Sequence, residues 1–421
     1  MRIAMVCAHS SPLANLGGKE AGGMNVYVRE LSRELGRRGI FVDIFTRLQD
    51  PATPPIQLLD TRVRVVNLVA GPAAPYDKNL LLEYVPVFAD AVLRFADADG
   101  VSYDLIHAHY FISGEVGLLL REAWGVPLIQ MFHTLGAMKN QVARGAEEQE
   151  TERRVAIEGR LMRKVDALIA ATTLDRAQMV WHYGIAAERV DIVPCGVDLR
   201  RFAPQDMADA RDSLGLPPPP HRVVLLVGRI EPLKGIDALI GAARLLFDRH
   251  ASWRGNLDVL IVGGGDEAGA DCWNAEQRRL DVLRRALDVA DAVHFVGARP
   301  QEQLAAYYAA ADIVTMPSHY ESFGMAALEG LASGRPVVAT SAGGPAYVVE
   351  DGVSGLLTPP DDAAALADRL EALLADDALR QRIGLAARER ALRFGWGTVA
   401  CDILQIYRQL LYQRSGQRRA G

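Results

Sequence analysis

Residues 312–330, with the sequence DIVTMPSHYESFGMAALEG, contain the pattern on which the fold prediction depends. The apolar run 312–316 predicts a short buried strand, and a polar loop and a helix-forming stretch follow it directly. Short apolar runs alternate with helical patterns in the same way along the whole chain. Because this alternation is typical of parallel sheets covered by helices, we predict an α/β protein with doubly wound parallel sheets.

The predicted strands form two series. In the first half of the chain they cover residues 3–7, 42–46, 63–68, 105–107, 128–131, 167–170 and 191–193, and in the second half residues 223–227, 259–262, 293–296, 312–316 and 336–340. Between the halves, the four prolines 217–220 cannot continue a helix and indicate a stiff linker. A length of 421 residues also suits two domains.

These patterns predict a Rossmann-like domain over residues 1–203, a linker over 204–220 and a second Rossmann-like domain over 221–395. An amphipathic pattern over 396–415 predicts a C-terminal helix, which we expect to pack back onto the first domain. Ligands of doubly wound sheets bind at the carboxyl ends of the strands, so functional residues are expected just after strands.

Composition disfavours several classes of function. The formal net charge of −6 argues against nucleic acid as the main partner, because that binding depends on basic surfaces. The cysteines at 7, 195, 272 and 401 form no CxxC pair, so no zinc site is expected. No apolar run reaches about 18 residues, so we expect no membrane-spanning helix and a cytoplasmic protein. Lysine is rare, with only five in the chain.

Two segments of the second half have the residue types that a nucleotide ligand needs. Arg229 and Lys234 follow strand 223–227, where they predict a clamp for a diphosphate leaving group or, alternatively, two solvated surface charges. In the segment quoted above, Ser322 is predicted to cap a helix whose first amides, near Phe323–Met325, bind an anion. An ordinary amphipathic helix is the alternative for this segment.

In the first half, the glycine-rich loop 17–23 precedes a helical pattern over 25–37. It lacks the G-x-G-x-x-G dinucleotide fingerprint directly after a strand, which disfavours a hydride-transfer enzyme. His107, His109 and His133 stand at strand ends, where they are open to metal-binding, structural or catalytic roles. No carboxylate lies at ligand spacing beside them, and the Asp97–Asp99 D-x-D sequence precedes a strand, so we expect no metal site.

Taken together, these segments resemble a known family. Glu321 and Glu329 match the E-x7-E motif of the retaining GT-B enzymes of glycosyltransferase family 4. Further matches to that family are Gly228-Arg229 with Lys234-Gly235, Gly196-Val197-Asp198 with Phe202, and Gly352 with Gly355-Leu356-Leu357. The resemblance covers nearly the whole chain and implies the GT-B architecture, in which two Rossmann-like domains face each other across a cleft.

The family resemblance also implies residue roles. The implied donor-binding residues are Gly23, Arg229, Lys234, Arg299, Glu321, Phe323, Gly324, Met325 and Glu329. Those implied in catalysis are His133, Glu321, Arg229 and Lys234, with His133 orienting the donor sugar and stabilising charge through its backbone carbonyl. The resemblance implies retention of configuration, catalysis without a metal ion or other cofactor, and a nucleotide sugar, a UDP-sugar, as co-substrate.

Residues 22–28, GGMNVYV, are similar to a narrower group, the D-inositol-3-phosphate glycosyltransferases. The acceptor-binding residues that this likeness implies are His9, Glu20, Gly22, Asn25, Lys78, Tyr110, Thr134 and Arg154. One ammonium, one guanidinium and two hydroxyls would make a phosphate site, so we expect a small phosphorylated acceptor such as inositol phosphate. Glu20 departs from the aspartate expected at that position.

Other functions remain open from the sequence. Sucrose-phosphate synthases share much of this acceptor pattern, with fructose 6-phosphate as the acceptor. A lipid-directed transferase acting on phosphatidylinositol and a nucleotide-sugar-binding module without catalysis are further alternatives. A homodimer is expected from the family.

Overall fold

The computed structural model describes residues 1–14, 22–74, 76–143, 145–265, 269, 271 and 273–420, apart from the side chains of residues 147 and 415–420. Internal contacts divide the chain into two compact units. The first unit contains Met1–Ala14, Gly23–Cys195 and the C-terminal segment from Trp396, and the second unit contains Gly196–Gly395. Both units are α/β, as the sequence predicted.

The sheet of the first unit has eight strands. They are β1 (Arg2–Val6), β2 (Phe41–Arg47), β3 (Ile56–Asp60), β4 (Val63–Leu68), β5 (Leu105–His109), β6 (Leu128–Met131), β7 (Ala167–Ala170) and β8 (Val190–Ile192). Their order is β3-β4-β2-β1-β5-β6-β7-β8. All neighbouring pairs are parallel except β3 with β4, which is antiparallel at the edge of the sheet.

Helices cover this first sheet. They are α1 (Gly23–Arg37), α2 (Val85–Ala98), α3 (Phe111–Trp124), α4 (Gly136–Val142), α5 (Glu152–Lys164), α6 (Thr173–Tyr183) and, from the other end of the chain, α15 (Trp396–Ala420), with short 3-10 turns at Leu80–Tyr84, Ala146–Glu148 and Ala187–Arg189. Helix α15 packs on α1, where the rings of Tyr27 and Trp396 have centroids 5.6 Å apart. The Tyr407 hydroxyl lies 2.8 Å from His107 Nδ1 on strand β5, so α15 also reaches the sheet.

The sheet of the second unit has six parallel strands. They are β9 (Arg222–Val227), β10 (Leu257–Val262), β11 (Val293–Gly297), β12 (Ile313–Met316), β13 (Val337–Thr340) and β14 (Gly355–Thr358). Their order, β11-β10-β9-β12-β13-β14, is the 3-2-1-4-5-6 order of a dinucleotide-binding sheet. The strand order reverses between β9 and β12, and ligands of such sheets bind at this switch point.

The helices of the second unit are α7 (Met207–Leu214), α8 (Ile236–Arg249), α9 (Ala275–Ala286), α10 (Gln301–Ala310), α11 (Met325–Ala332), α12 (Pro345–Val348), α13 (Ala363–Ala375) and α14 (Asp377–Ala391), with 3-10 turns at Pro232–Lys234, Ala251–Trp253 and Leu392–Phe394. The apolar faces of α8, α9, α13 and α14 and the strands form one core, which includes Leu226, Leu239, Ile261, Ile313 and Leu370, and α7 and α10 form a separate small cluster. None of the helices in the described part of the chain combines the length and apolar character needed to cross a membrane.

Twelve strands lie within two residues of their predicted positions, but β3 and β14 were not predicted. Strand β3 is antiparallel and lies at the sheet edge, with Leu58 77% exposed, so it lacks the continuous apolar run of a central parallel strand. The segment 204–220, expected to be a linker, contains helix α7, which packs against α10.

The anchor of α7 is the buried side chain of Arg211, which is 1% exposed. Its Nη2 atom pairs with Asp312 Oδ2 at 2.7 Å, and its other nitrogens donate to the carbonyl oxygens of Ala310 and His221 at 3.0 and 2.6 Å. The charge is therefore compensated inside the protein, and α7 is held to the start of strand β12.

Replacing Arg211 by methionine should leave the Asp312 carboxylate with Arg222 Nη1 at 3.3 Å and the Val223 amide at 2.8 Å as remaining partners. Because the carboxylate keeps these partners, Arg211→Met should lower the free energy of unfolding by about 1–3 kcal/mol, less than the cost of about 3–5 kcal/mol for a buried charge left unpaired. Urea denaturation measures the loss. Arg382→Met, at an exposed position on α14, is the matched control and should change stability by less than about 0.5 kcal/mol. An equal effect of both substitutions would contradict the anchoring role.

Candidate active site

In the first unit, predicted site residues gather where the strand order reverses between β1 and β5. His9 follows β1, Tyr110 follows β5, and His133 and Thr134 follow β6. The carboxyl ends of parallel strands meet at one edge of a sheet, which explains why residues far apart in sequence come together here. The centroids of the His9 and Tyr110 rings are 4.3 Å apart.

The backbone is strained at this edge. Tyr110 has φ 75° and ψ 160°, and His133 has φ 62°, values that residues other than glycine rarely adopt. Only two other non-glycine residues with positive φ, Asp288 and Asp361, occur in the described ranges. Such strain persists where the surroundings enforce it and is concentrated at functional sites.

Two buried histidines, His107 and His109, form a cluster with the half-buried His133. His109 Nδ1 and His133 Nε2 are hydrogen bonded at 2.9 Å. The centroids of the His107 and His109 rings lie 4.3 Å apart. Burial lowers the pKa of His133 and of His107 to about 3 and lowers the pKa of His109 well below its usual value. All three rings are therefore neutral at pH 7. His109 also fixes the orientation of the His133 ring, a role that the sequence did not reveal.

Arg154 is the centre of the predicted phosphate site. Its Nη2 atom donates to the carbonyl and hydroxyl oxygens of Thr134 at 3.0 and 3.1 Å, and its Nε atom donates to Glu158 at 2.8 Å. The guanidinium carbon lies 4.8 Å from the centroid of the Tyr110 ring. The structure thus brings together three of the four residues predicted to bind the acceptor phosphate.

Lys78, the fourth residue, joins this group through Glu150. Lys78 Nζ lies 3.0 Å and Arg154 Nη1 lies 2.7 Å from the same oxygen, Glu150 Oε1. Lys139 on α4 pairs with that oxygen at 2.5 Å. Sequence reasoning missed both Lys139 and Glu150. The rarity of lysine was the only signal for Lys139, and no local pattern marks Glu150.

The remaining predicted acceptor residues surround the start of α1. His9 is 7% exposed, and its burial, together with the charges of Lys78 and Arg154, lowers its pKa to about 3. Asn25 Nδ2 donates to Ser10 Oγ and to the Ser11 carbonyl oxygen at 2.7 and 2.6 Å, so it holds the loop after β1.

The last two glycines of the predicted loop stand at the beginning of α1. Helix α1 begins at Gly23, with Gly22 directly before it. Glu20 lies outside the described residues.

In the second unit, predicted residues meet at the switch point between β9 and β12. Lys234, after β9, forms an ion pair with Glu321, after β12. Arg229 Nη1 pairs with Glu231 at 2.8 Å, and its side chain is 39% exposed. Two cations and two carboxylates therefore stand at the edge where a doubly wound sheet binds its ligand.

Glycines allow the loops of this edge to approach each other closely. Gly235 has φ 63°, and a Cβ atom there would lie 2.1 Å from the carbonyl oxygen of Pro317. A Cβ atom on Gly344 would lie 2.2 Å from Phe323 Cα. The Gly344 amide donates to the Glu321 carbonyl oxygen at 2.7 Å. The backbone around Glu321 is thus fixed from both sides.

The prediction that Ser322 caps the following helix was wrong. Helix α11 begins at Met325, and its N-cap is Gly324 in a left-handed conformation with φ 92°. Glycine adopts this conformation without the steric cost of a side chain, so the chain enters the helix two residues after Ser322. Ser322 Oγ is buried and has no hydrogen-bond partner in the part of the chain that the structure describes.

Glu329 lies on α11 and is 7% exposed. Its Oε2 atom accepts a hydrogen bond of 2.8 Å from the Tyr308 hydroxyl, and Gln301 Nε2 lies 3.5 Å from its Oε1. Burial and the Glu329 charge raise the pKa of Tyr308, so the phenol remains a donor. Arg299, just before α10, donates to the Tyr307 hydroxyl at 3.2 Å.

Within the described ranges, no three His, Cys, Asp or Glu side chains are arranged to hold a metal ion. At the carboxyl edge of each sheet, cations are instead paired with carboxylates. Such sites are suited to anionic ligands such as phosphate groups, which compete for the same cations.

Comparison with known proteins agrees with this chemistry. The family model described as Glycosyltransferase Family 4 matches residues 21–201, and the model described as Glycosyl transferases group 1 matches residues 209–390. A relative from Nocardiopsis dassonvillei, a D-inositol 3-phosphate glycosyltransferase, is 40% identical over 411 residues, which are 97% of this chain and 94% of the relative.

Solved structures show the same architecture. A sucrose-phosphate synthase from Thermosynechococcus elongatus superimposes with a TM-score of 0.88 at 36% identity, covering 98% of this chain and 99% of that chain. Anabaena HepE, solved in complex with UDP-glucose, has a TM-score of 0.74 at 22% identity over 97% of this chain and all of that chain. The fold is thus that of the GT-B glycosyltransferases, and the chain belongs to glycosyltransferase family 4.

Proposed function

We propose that this glycosyltransferase moves a hexosyl or N-acetylhexosaminyl group from a UDP-sugar to a small phosphorylated acceptor such as inositol phosphate, with retention of configuration. The observation that carries the proposal is the convergence of Lys78 and Arg154 with the Tyr110 ring and the Thr134 hydroxyl at one edge of the first sheet. Two cations and two hydroxyls are the donors that a phosphate monoester requires.

The relatives support inositol phosphate as the acceptor. The Nocardiopsis protein, 40% identical over 411 residues, bears the name D-inositol 3-phosphate glycosyltransferase. His9 and the start of α1 stand beside the phosphate-binding residues, where they would contact the acceptor ring. Because His9 is neutral, it would hydrogen bond to a hydroxyl group without adding charge.

The second unit would bind the donor. Arg229 and Lys234 would hold the diphosphate, Glu321 the sugar and Glu329 the ribose hydroxyls. The Anabaena protein of the same fold was solved with UDP-glucose, which supports a UDP-sugar as donor. The loop Phe323–Met325 and Arg299 would complete this site beside the diphosphate and the base.

The reaction replaces one bond at the anomeric carbon by another. The bond to the UDP oxygen breaks, a bond to an acceptor hydroxyl oxygen forms on the same face, and the leaving phosphate takes the hydroxyl proton. Negative charge grows on the departing diphosphate, and Arg229 and Lys234 would stabilise it in place of a metal ion. The backbone carbonyl of His133, fixed by its strained conformation, would stabilise positive charge at the sugar.

A second candidate acceptor is fructose 6-phosphate. The sucrose-phosphate synthase structure, with a TM-score of 0.88 at 36% identity, favours it. Both acceptors have the phosphate that Lys78 and Arg154 would bind, so the phosphate alone does not separate them.

A matrix of substrates tests the proposal and separates the two acceptors. UDP-GlcNAc, UDP-glucose, GDP-mannose and ADP-glucose would each be paired with inositol 1-phosphate, inositol 3-phosphate, inositol, fructose 6-phosphate and buffer, with EDTA present. We expect nucleotide release with a UDP-sugar and a phosphorylated inositol only, and NMR of the product should show the donor's anomeric configuration.

Equal release with unphosphorylated inositol would contradict the phosphate site. Loss of release on adding EDTA would contradict metal independence, and release with fructose 6-phosphate alone would establish the second candidate.

Lys78→Met should weaken acceptor binding selectively. A hydrogen bond to a charged group contributes about 1.5–3 kcal/mol, so the KM for the phosphorylated acceptor should rise at least about tenfold while the KM for the donor stays unchanged. Steady-state kinetics with each substrate varied in turn measure both constants. Lys164→Met, at an exposed position on α5, is the control and should leave both unchanged. A rise confined to the donor KM would place Lys78 in a different site.

Gly235→Ala should disrupt donor binding through the contact with Pro317. The matched control is Gly215→Ala, because Gly215 has nearly the same φ of 66° but no atom within 4 Å of a built Cβ. Left-handed backbone costs an L-residue about 1–2 kcal/mol, so both variants should lose at least that much stability, and Gly235→Ala more because of the contact with Pro317. Only Gly235→Ala should bind UDP at least about tenfold more weakly by calorimetry, because displacement of the Pro317 backbone moves the loop that ends in Glu321. Equal UDP binding by both variants would show that this close approach does not position the donor site.

A further inference from the structure

One carboxylate oxygen of the first unit is shared by three cations. Glu150 Oε1 lies 3.0 Å from Lys78 Nζ, 2.5 Å from Lys139 Nζ and 2.7 Å from Arg154 Nη1. The Glu150 side chain is only 6% exposed. Burial by itself would raise the Glu150 pKa, but the charges of Arg154, Lys139 and Lys78 outweigh burial and lower this pKa to about 2. The carboxylate is therefore fully ionised at neutral pH.

The three cations come from separate elements. Lys78 precedes the turn Leu80–Tyr84, Lys139 lies on α4 and Arg154 lies on α5. Arg154 stands only four residues after Glu150, whereas Lys78 and Lys139 reach the same oxygen atom through the tertiary fold. Burial lowers the pKa of the Lys139 ammonium, and the charge of Lys78 lowers it further.

The main chain of Glu150 is held independently of its side chain. Its amide donates to Asn140 Oδ1 at 2.6 Å, and its carbonyl oxygen accepts from Asn140 Nδ2 at 3.1 Å. Rotation about the Glu150 side-chain bonds can therefore move the carboxylate without unfolding the loop.

The charges favour exchange of Glu150 for a phosphate over binding of both. Lys78, Lys139 and Arg154 contribute three positive charges, and Glu158, buried against Arg154, contributes one negative charge. A phosphate monoester has a charge of about −2 at neutral pH, so it balances this set when the Glu150 carboxylate moves away. With Glu150 in place, the phosphate would instead meet a carboxylate at short range, and such like-charge contacts are costly.

We propose that Glu150 competes with the acceptor's phosphate for Lys78, Lys139 and Arg154, and that Lys139 is a further phosphate-binding residue. This inference rests on the proposed function, because it concerns the same acceptor site. Its consequence is selection by charge. A dianionic acceptor displaces the carboxylate from three cations, whereas a neutral polyol has no group that can do so.

The first test measures binding of inorganic phosphate, used as the probe, by its protection of the full-length protein against thermal unfolding. Glu150→Gln keeps the shape of the side chain and removes its charge, so it should bind phosphate at least about fivefold more tightly than the wild type, the lower end of measured coupling between sites. Glu152→Gln, at an exposed position two residues away, should bind phosphate like the wild type. Unchanged or weaker phosphate binding by Glu150→Gln would overturn the competition and leave Glu150 as a structural clamp.

The second test addresses Lys139 and does not depend on Glu150→Gln folding. Lys139→Met should bind phosphate at least about fivefold more weakly, and Lys139→Arg, which keeps the charge, should retain most of the affinity. Lys164→Met is the control for loss of a lysine. Phosphate binding by Lys139→Met at the wild-type level would overturn the role of Lys139.

These outcomes are separable from failure of the proposed function, because phosphate binding is measured without turnover. If the variants shift phosphate affinity as expected but no phosphorylated acceptor supports transfer, the anion site stands and the proposed acceptor class fails. If phosphorylated acceptors support transfer and Glu150→Gln leaves phosphate affinity unchanged, the proposed function stands and the competition fails. Loss of the phosphate effect in Lys78→Met verifies that the probe reports on this site and not on the donor site.

Discussion

The buried Arg154 guanidinium has a positive charge that the surrounding residues of the first unit must compensate. The side chain is 1% exposed, and an uncompensated charge at such depth would cost several kcal/mol. Glu158 accepts from Nε, Thr134 accepts twice from Nη2, and Glu150 pairs with Nη1. The rings of Tyr110 and Phe111 lie close to the guanidinium carbon, at 4.8 and 5.2 Å. These partners stand after β5, after β6, just before α5 and within α5. The Arg154 side chain therefore fixes the relative positions of the loops that form the site.

The two sheets have the same arrangement of charges at their switch points. In each, cations at the edge formed by the carboxyl ends of the strands are paired with carboxylates, as in Lys234 with Glu321 and Lys78 with Glu150. Such pairing keeps like charges from repelling one another inside a partly buried site. In the first unit, binding of a phosphate group by exchange with Glu150, as proposed above, would make affinity depend on the difference between two interactions.

The strained backbone of Tyr110 and His133 belongs to the same arrangement. Tyr110 follows β5 directly and His133 stands two residues after β6, and the His109 side chain and the Arg154 guanidinium hold their side chains in place. Left-handed conformations at non-glycine residues cost about 1–3 kcal/mol each, and the surrounding contacts supply that energy. The result is a carbonyl group at His133 whose direction is set by the fold.

The sequence by itself determined the fold class, the two series of strands and the family, because hydrophobic periodicity is a local property and the E-x7-E spacing lies within one strand-loop-helix unit. It also predicted most of the cations of the candidate site, since Arg229 and Lys234 follow a strand and the family resemblance implies Lys78. Only the tertiary structure decided that Glu150 meets Lys78, 72 residues away, and that Lys139 joins them. It also decided that Gly324 rather than Ser322 caps α11, and that the edge strand β3 pairs with β4. These features depend on contacts between distant segments and on the backbone angles that those contacts impose, and a periodic pattern contains neither.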